Sequence, residues 1–450
     1  MNTIISNDIK VIEYNRAILE WCEENLILPN PDFHVAQNMG RWTGNIPRNL
    51  VLFEKRGNQL VMPFGVIKSI WSIIKEKPVT TEFAPNQPLN MKGDIPLYDY
   101  QKNAVNAVIH AKNGMLEAPC GSGKTQMGIA MIKAIGLKAL WLTHTTELMT
   151  QSMDRAKDYF DGDFGTITAG KVNIGKDITF ATVQTMAKLD LTQYKNEFNV
   201  IVVDEAHRVA GTPTRVMQFY KVITNIAARY KFGLSATLSR ADGMIKSAFA
   251  VLGPIVHRIQ ESEVGEKIIK ATHVEIKMDT EPSEDYLDTD GTLIYNNLID
   301  YLSFNKNRNE RIVNIIAGQD MNNHSQLVLV SRVKHIKILQ DMLKNLNVKS
   351  VSLSGGTNTD ARKEVLDGMR TGEHKILIAT IQLAKEGLDI PILDRLHLVT
   401  PSKNKAMVKQ AAGRIERNVK DKPHPFIMDY VDTKIHYCVN MFKRRKTILK

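Results

Sequence analysis

The 450-residue chain has little cysteine: Cys22, Cys120 and Cys438 stand too far apart for a paired framework or for the close spacing of zinc ligands. A disulfide-stapled or zinc-built scaffold is thereby set aside, and a reducing compartment is expected. No stretch approaches the ~18 apolar residues that a membrane span needs. The opening MNTIISNDIK lacks a basic flank followed by an apolar run. The expectation is a cytoplasmic protein with no membrane partner. Short tandem repeats and low-complexity tracts are also missing, which argues against solenoids and disordered chains.

What remains is a globular composition, 43% hydrophobic and 24% charged, on a length that suits about three domains. Charge is less ordinary. A net +11 and a pI near 9.3 give a surface field that favours a polyanion such as nucleic acid.

Texture changes at residues 84–96, where Pro85, Pro88, Gly93 and Pro96 interrupt every periodicity and suggest a linker. Upstream, RNLVLFEKRGNQLVMPFG reads as two strands around a turn at Lys55 to Asn58, so residues 1–90 are expected to form a small α+β domain. There Arg41, Arg48, Lys55, Arg56 and Lys68 interleave with Trp42, Phe53 and Trp71. Core packing is the simpler role for those aromatics, and stacking on exposed bases the functional alternative. Downstream, KALWLTH, DITFAT, NVIVVDEAH and YKFGLSAT are short apolar runs separated by helical stretches. ATHVEIKM, QLVLVSR, KSVSLSG, HKILIAT and DRLHLVT form a second such series. The expected fold class is α/β, with two parallel-sheet lobes at residues 91–260 and 261–450 behind the N-terminal domain.

The stretch LEAPCGSGKT, residues 116 to 125, nearly satisfies the phosphate-loop pattern G-x-x-x-x-G-K-[ST], with Ala118 in place of the first glycine. Along Ala118, Pro119, Cys120, Gly121, Ser122 and Gly123, the two glycines allow consecutive N–H groups to turn toward phosphate oxygens. Lys124 then reaches the β and γ phosphates, and Thr125 offers a hydroxyl to Mg²⁺ at a helix start whose dipole favours anions. About 80 residues later VIVVDEAH delivers Asp204 and Glu205 at a strand end, Asp204 for Mg²⁺ and Glu205 as general base on the attacking water. ATP and Mg²⁺ are the cofactors so implied.

With D-E-A-H added to the loop, the chain resembles the superfamily 2 helicases and translocases, and its further motifs follow in family order. Ser235-Ala236-Thr237 matches the third motif, which in the family couples nucleotide state to the nucleic-acid groove, as His207 does beside it. TIQLAKEGLDIP, from Thr380 to Pro391, matches the fifth, with Gly387 and Asp389 near the ribose in relatives. Gln410 to Arg417 matches Q-x-x-G-R-x-x-R, the sixth. The stretch from Leu97 to Gln101 resembles the adenine-reading element, which puts Tyr98 and Gln101 at the nucleotide. These matches span residues 97 to 417. GLSATLSRADGMIKSAFAVLGP looks like the group of phage branch-migration helicases and the eukaryotic helicase XPB. Three departures stand out: Tyr98 where relatives often have arginine, Leu142 before Thr143 in place of proline, and Arg240-Ala241-Asp242 without the usual glutamate.

The resemblance implies two RecA-like lobes pinching one ATP, with Lys124 on one and Arg414 and Arg417 on the other. Three residues apart, those arginines would share one helix face. It also places strand contacts at Thr143, Thr182, Gln184, Arg332 and Thr380, although a threonine after a strand also serves as a helix cap. The expected function is an ATP-dependent DNA helicase acting on branched or partly single-stranded DNA in recombination, repair or replication. A duplex-DNA translocase, an RNA helicase and a non-catalytic nucleic-acid scaffold are the rivals. The last fits poorly with Lys124, Asp204, Glu205 and both arginines all being present.

Overall fold

The computed structural model describes residues 2–449 except 76–77, 120, 211, 237, 239–243, 266–267, 386–387, 389 and 403. Every residue of the strands Ala139–Thr143, Ile178–Thr182 and Val200–Val203 is buried. Strands that are apolar on both faces need helices above and below, the hallmark of a parallel sheet. They lie side by side in an eight-stranded sheet whose order is Lys171–Asn173, Phe164–Thr168, Ile178–Thr182, Ala139–Thr143, Val200–Val203, Tyr230–Ser235, Asn113–Glu117 and Ile255–Arg258. All its pairings are parallel except that of the edge strand Lys171–Asn173. The order brings the ends of Asn113–Glu117, Tyr230–Ser235 and Val200–Val203 together, so three segments distant in sequence open on one edge.

The helix Lys124–Ile135 lies close on this sheet. A Cβ at Gly128 would come within 2.6 Å of Leu234 and 2.7 Å of the Trp141 ring, so the helix approaches as near as it does because that side chain is absent. Ahead of it, an antiparallel sheet of Glu54–Arg56, Gln59–Pro63, Asp8–Ile12 and Asn2–Ile5 adds Val79–Thr81 in parallel. Its apolar face packs with Ile18, Cys22 and Ile70, and also with Ala210, Val216, Met244 and Ala250. The N-terminal module and the first large sheet thus share a core within one compact unit, Met1–Val264; Gly265–Lys450 form the second.

Two local expectations change. Strands Glu54–Arg56 and Gln59–Pro63 meet at a tighter turn than expected, with Gly57 at φ 59. The stretch at 84–96 is a strap, not a free linker. Asn199 Nδ2 donates to the carbonyls of Ala84 and Pro85, Asn199 Oδ1 accepts from Gln87 N, and Asp177 Oδ1 accepts from Asn90 N at 2.7 Å. Side chains satisfy much of this backbone, and its Lys92–Gly93 segment pairs antiparallel with Phe160–Asp161.

The second unit holds an all-parallel six-stranded sheet in the order Thr272–Met278, Phe426–Asp432, Arg395–Leu398, Gln326–Val330, Ile376–Thr380 and Val351–Leu353. Every apolar run of the second series forms one of these strands. Phe426–Asp432 was not singled out in the sequence, because Asp429 and Asp432 break its hydrophobic pattern. Both are buried against arginine: Arg445 Nη2 lies 2.6 Å from Asp429 Oδ1, and Arg308 Nε 2.8 Å from Asp432 Oδ1.

Candidate active site

The strand Asn113–Glu117 runs into the loop, and Ala118 N donates to Ser235 O at 2.9 Å, tying the loop's first residue to the next strand. Ala118 is fully buried, which explains why a small side chain serves here. Gly121 and Gly123 take φ of 80 and 82, backbone that only glycine adopts without strain. Lys124 begins the helix and curls over the loop, its Nζ 3.1 Å from the Ala118 carbonyl and 3.2 Å from that of Pro119. Thr125 follows, half-buried in the first helical turn. Cys120 lies outside the described residues.

Beneath the loop sits Gln101, 1% exposed. Its Nε2 donates to Ser122 O at 2.8 Å, and its Oε1 accepts from Tyr98 N at 2.9 Å. Tyr100 OH donates to the same carbonyl at 3.2 Å, and Ser122 Oγ donates to Pro119 O at 2.7 Å. Gln101 therefore buttresses the phosphate loop from below. Tyr98 is exposed and stacks on Tyr100, with centroids 6.0 Å apart.

Asp204 and Glu205 follow the strand Val200–Val203. Burial, and then repulsion from Glu205, raise the Asp204 carboxyl above its ordinary value, while Lys124 and the bond from Glu205 N work against the rise. Glu205 holds φ 52, a left-handed conformation costly for a residue with a Cβ. That bend starts the short turn Ala206–Arg208, which carries His207. His207 Nδ1 lies 3.2 Å from Glu205 Oε2 and 3.1 Å from Ser235 Oγ, joining the acidic pair to the third motif. Thr237 lies outside the described residues. The oxygen-rich set of Thr125, Asp204 and Glu205 suits Mg²⁺, a hard cation usually held by one or two carboxylates together with phosphate. A cation there would relieve the repulsion that lifts Asp204.

Two residues escaped the sequence reading, one in each unit. His144 is 4% exposed with no hydrogen-bond partner on either ring nitrogen, and burial, then Arg208 and Arg215, push its pKa down to about 3. It is a neutral imidazole that nothing in a one-dimensional pattern distinguishes from a loop histidine. Lys422 is the other, described with the sixth motif below.

The strand-contact candidates are mostly turned inward. Thr143 is fully buried and donates to Thr145 O at 3.0 Å; Thr182 is buried with its Oγ1 2.9 Å from Thr185 Oγ1; Thr380 is buried at its strand end. The Thr143 and Thr182 hydroxyls bond within their own turns. Thr146, three residues past Thr143, is exposed, and its Oγ1 lies 3.0 Å from that of Thr168. Gln184 Nε2 donates to His144 O at 2.8 Å, and Arg332 pairs with Asp300 at 2.6 Å and with Asn296.

In the second unit the helix Lys405–Ile415 carries Gln410, buried, and Arg414, half-buried. Arg417 does not share that helix. The helix stops at Ile415 and Glu416 caps it, because Ile269 N and Ala271 N draw Glu416 O and Oε1 aside, and Arg417 forms a bridge with Ile268. Lys422 Nζ fixes this exit by donating to Ile415 O at 2.7 Å and Arg417 O at 2.8 Å, and burial lowers its pKa to about 8. Gly387 and Asp389 lie outside the described residues.

A glycine-turned loop at one strand end, opposite an acidic pair at another, defines a P-loop nucleotide hydrolase. Family comparison then places it more closely. Residues 94–240 match the model of the type III restriction enzyme res subunit, and residues 307–419 that of the helicase conserved C-terminal domain. A protein of Acanthamoeba polyphaga mimivirus carrying an ATP-dependent RNA helicase name is 28% identical over 71% of this chain, which spans 60% of that protein's length. DNA 3'-5' translocase XPB2 of Sulfurisphaera tokodaii is 26% identical over 74% of this chain and 81% of its own. The structure of Saccharomyces cerevisiae Dbp5 bound to RNA and ADP BeF3 matches with a TM-score of 0.57 at 18% identity, over 86% of this chain and 92% of that one, and supports the two-lobed RecA-like fold. The chain belongs to the superfamily 2 helicases, an ATP-dependent enzyme class.

Proposed function

We propose that this chain is an ATP-dependent DNA helicase that translocates on and remodels branched DNA. The carrying observation is the His207 link, which touches both Glu205 and Ser235 while Ser235 O holds the first residue of the phosphate loop. A change at the γ-phosphate is then passed to the next strand through His207.

Lys124 leaves its loop carbonyls for the β and γ phosphate oxygens, and the loop N–H groups hold the rest of the triphosphate. Thr125 and Asp204 would hold Mg²⁺, whose charge would neutralise that of the phosphates. Glu205 accepts the proton of the attacking water, its carboxylate oriented by His207. Arg414 and Arg417 stabilise the charge that develops on the transferred phosphoryl group. The basic balance of the chain and the DNA-acting name of the XPB2 relative support DNA as the track. Roles in recombination, repair or replication belong to the same proposal, as does placement in the cytoplasm, or the host's if the chain is phage-encoded.

The mimivirus relative's name favours a second reading, an RNA helicase. One panel separates the readings: fork, four-way junction, tailed duplex and blunt duplex DNA, with a matched RNA fork, assayed for ATP-dependent strand displacement beside triplex displacement. Forks and junctions opened faster than the others support the proposal. Opening of tailed duplexes alone would end the branched-DNA reading, triplex displacement without opening would favour a duplex translocase, and preference for the RNA fork would favour the RNA reading.

A further inference from the structure

The N-terminal module was expected to bury its aromatics, and Phe53 does pack against the core. Trp42 does not: it is 74% exposed, the most exposed of the aromatic side chains at the surface. Its indole is laid back over the backbone of Gly44, where an added Cβ would come within 2.3 Å of the ring. The ring thus lies against the main chain at Gly44 while most of the residue stays open to solvent.

The loop that presents it is tied at both ends. Arg41 N donates to Ala36 O at 2.9 Å, Asn30 Nδ2 donates to Pro47 O at 2.7 Å, and Asn30 N donates to Arg48 O at 3.0 Å. Inside it, Ile46 N donates to Thr43 O at 2.9 Å. Arg41 and Arg48 are exposed on either side of the tryptophan, and residues 39–51 contain no acidic side chain.

An exposed indole costs free energy in water unless something covers it. An exposed indole on a short tied loop, flanked in sequence by two exposed arginines, matches one chemistry closely, a π-face attached to a chain of phosphates. Paired bases in a duplex present only their edges, so the matching base is an unstacked one.

We propose that residues 40–48 form a binding site for unpaired nucleotides at a DNA branch, with Trp42 stacking on a base and Arg41 and Arg48 neutralising the flanking phosphates. This deepens the branched-DNA reading and rests on it for the identity of the polymer. The site lies outside the helicase motifs, and it lets the module hold a displaced strand whatever its sequence.

The test uses the full chain without ATP, and anisotropy of labelled fork, (dT)₂₀ and blunt duplex DNA at roughly 50 and 200 mM salt. Trp42→Ala is expected to weaken fork and (dT)₂₀ binding about tenfold, the effect of ~1.4 kcal/mol of stacking, and blunt-duplex binding less than about twofold. Trp42→Phe should stay within about threefold of wild type. Arg41→Ala with Arg48→Ala should reduce the salt slope on (dT)₂₀ by about 1.4, which Trp42→Ala should leave alone. Wild-type fork affinity in Trp42→Ala, or an equal loss on blunt duplex, overturns the site. So does sedimentation showing that Trp42→Ala abolishes a wild-type dimer while fork affinity is unchanged, because the face would then join two copies. If the wild type has DNA-stimulated ATPase and Trp42→Ala binds forks normally, only this site fails; if the wild type binds no nucleic acid, the motor reading fails with it.

Discussion

Replacing Gln101 with alanine separates two roles for the element ahead of the phosphate loop. In the structure the side chain is 1% exposed, with its amide bonded to Ser122 O at 2.8 Å and to Tyr98 N at 2.9 Å. Deleting it removes two buried hydrogen bonds, each worth about 1 kcal/mol net, with more lost where a group is left unpaired. Ser122 O keeps Tyr100 OH at 3.2 Å, so the loss stays near the low end, about 2 kcal/mol. If the loop must be ordered to bind triphosphate, that figure is about a 30-fold rise in KM. Gln101→Glu should do at least as much harm, because it turns a carboxylate toward the Ser122 carbonyl. The assay is steady-state hydrolysis of ATP and GTP by each variant, with Tm as a fold control. A buttress predicts equal losses for both nucleotides, since the loop touches only phosphates. A loss confined to ATP would refute the buttress and return Gln101 to reading the base, and a KM within about twofold of wild type would refute both roles.

Lys124→Ala should reduce ATPase below about 1% of wild type while DNA affinity, measured by anisotropy, stays within about threefold; near-normal hydrolysis would remove the phosphate-loop assignment. Lys231 is fully buried, donates to Asn7 O at 2.8 Å and Ile223 O at 3.3 Å, and has its pKa pushed down to about 7 by burial. From about 7 up to the ordinary lysine value the unfolded chain holds a proton that the folded one has released. Stability should therefore rise with pH there, by up to ~1.4 kcal/mol per unit, and Lys231→Met should flatten the rise in urea titrations at about pH 7.5 and 9.5. Arg445→Ala leaves the buried Asp429 carboxylate with His273 Nε2, at 3.0 Å, as its remaining side-chain partner and should destabilise the second unit by roughly 3 kcal/mol, whereas Arg445→Met with Asp429→Leu should recover most of that in the same titrations.

The strands legible in the sequence were those apolar at every position, such as ALWLT and ILIAT, because burial on both faces leaves an uninterrupted run. FIMDYVD was illegible for the opposite reason: its carboxylates find their arginines on helices more than a hundred residues upstream and some sixteen downstream. The phosphate loop and acidic pair were legible because their chemistry demands fixed residues at fixed spacing. Their supports were not: the Gln101 brace and the Lys422 clamp depend on where the chain returns in space. Equal spacing also misled. Arg414 and Arg417 lie three apart, yet Glu416 ends the helix between them. The threonines at strand ends follow the rule for strand contacts, and the hydroxyls of Thr143 and Thr182 bond locally, to Thr145 O and Thr185 Oγ1.

Asp429 and Asp432 stand an odd number of residues apart on one strand, so their side chains leave it in opposite directions. Each recruits an arginine whose remaining N–H groups grip the stretch just before the helix of Arg414: Arg308 donates to Val399 O at 2.8 Å and Arg445 to Ser402 O at 3.1 Å. Tyr295 OH holds the carbonyl between them, that of Pro401, at 2.7 Å. This piece of chain is riveted above, below and in the middle. It has no slack to take up, so any displacement of the arginine-bearing helix drags the whole six-stranded slab along with it.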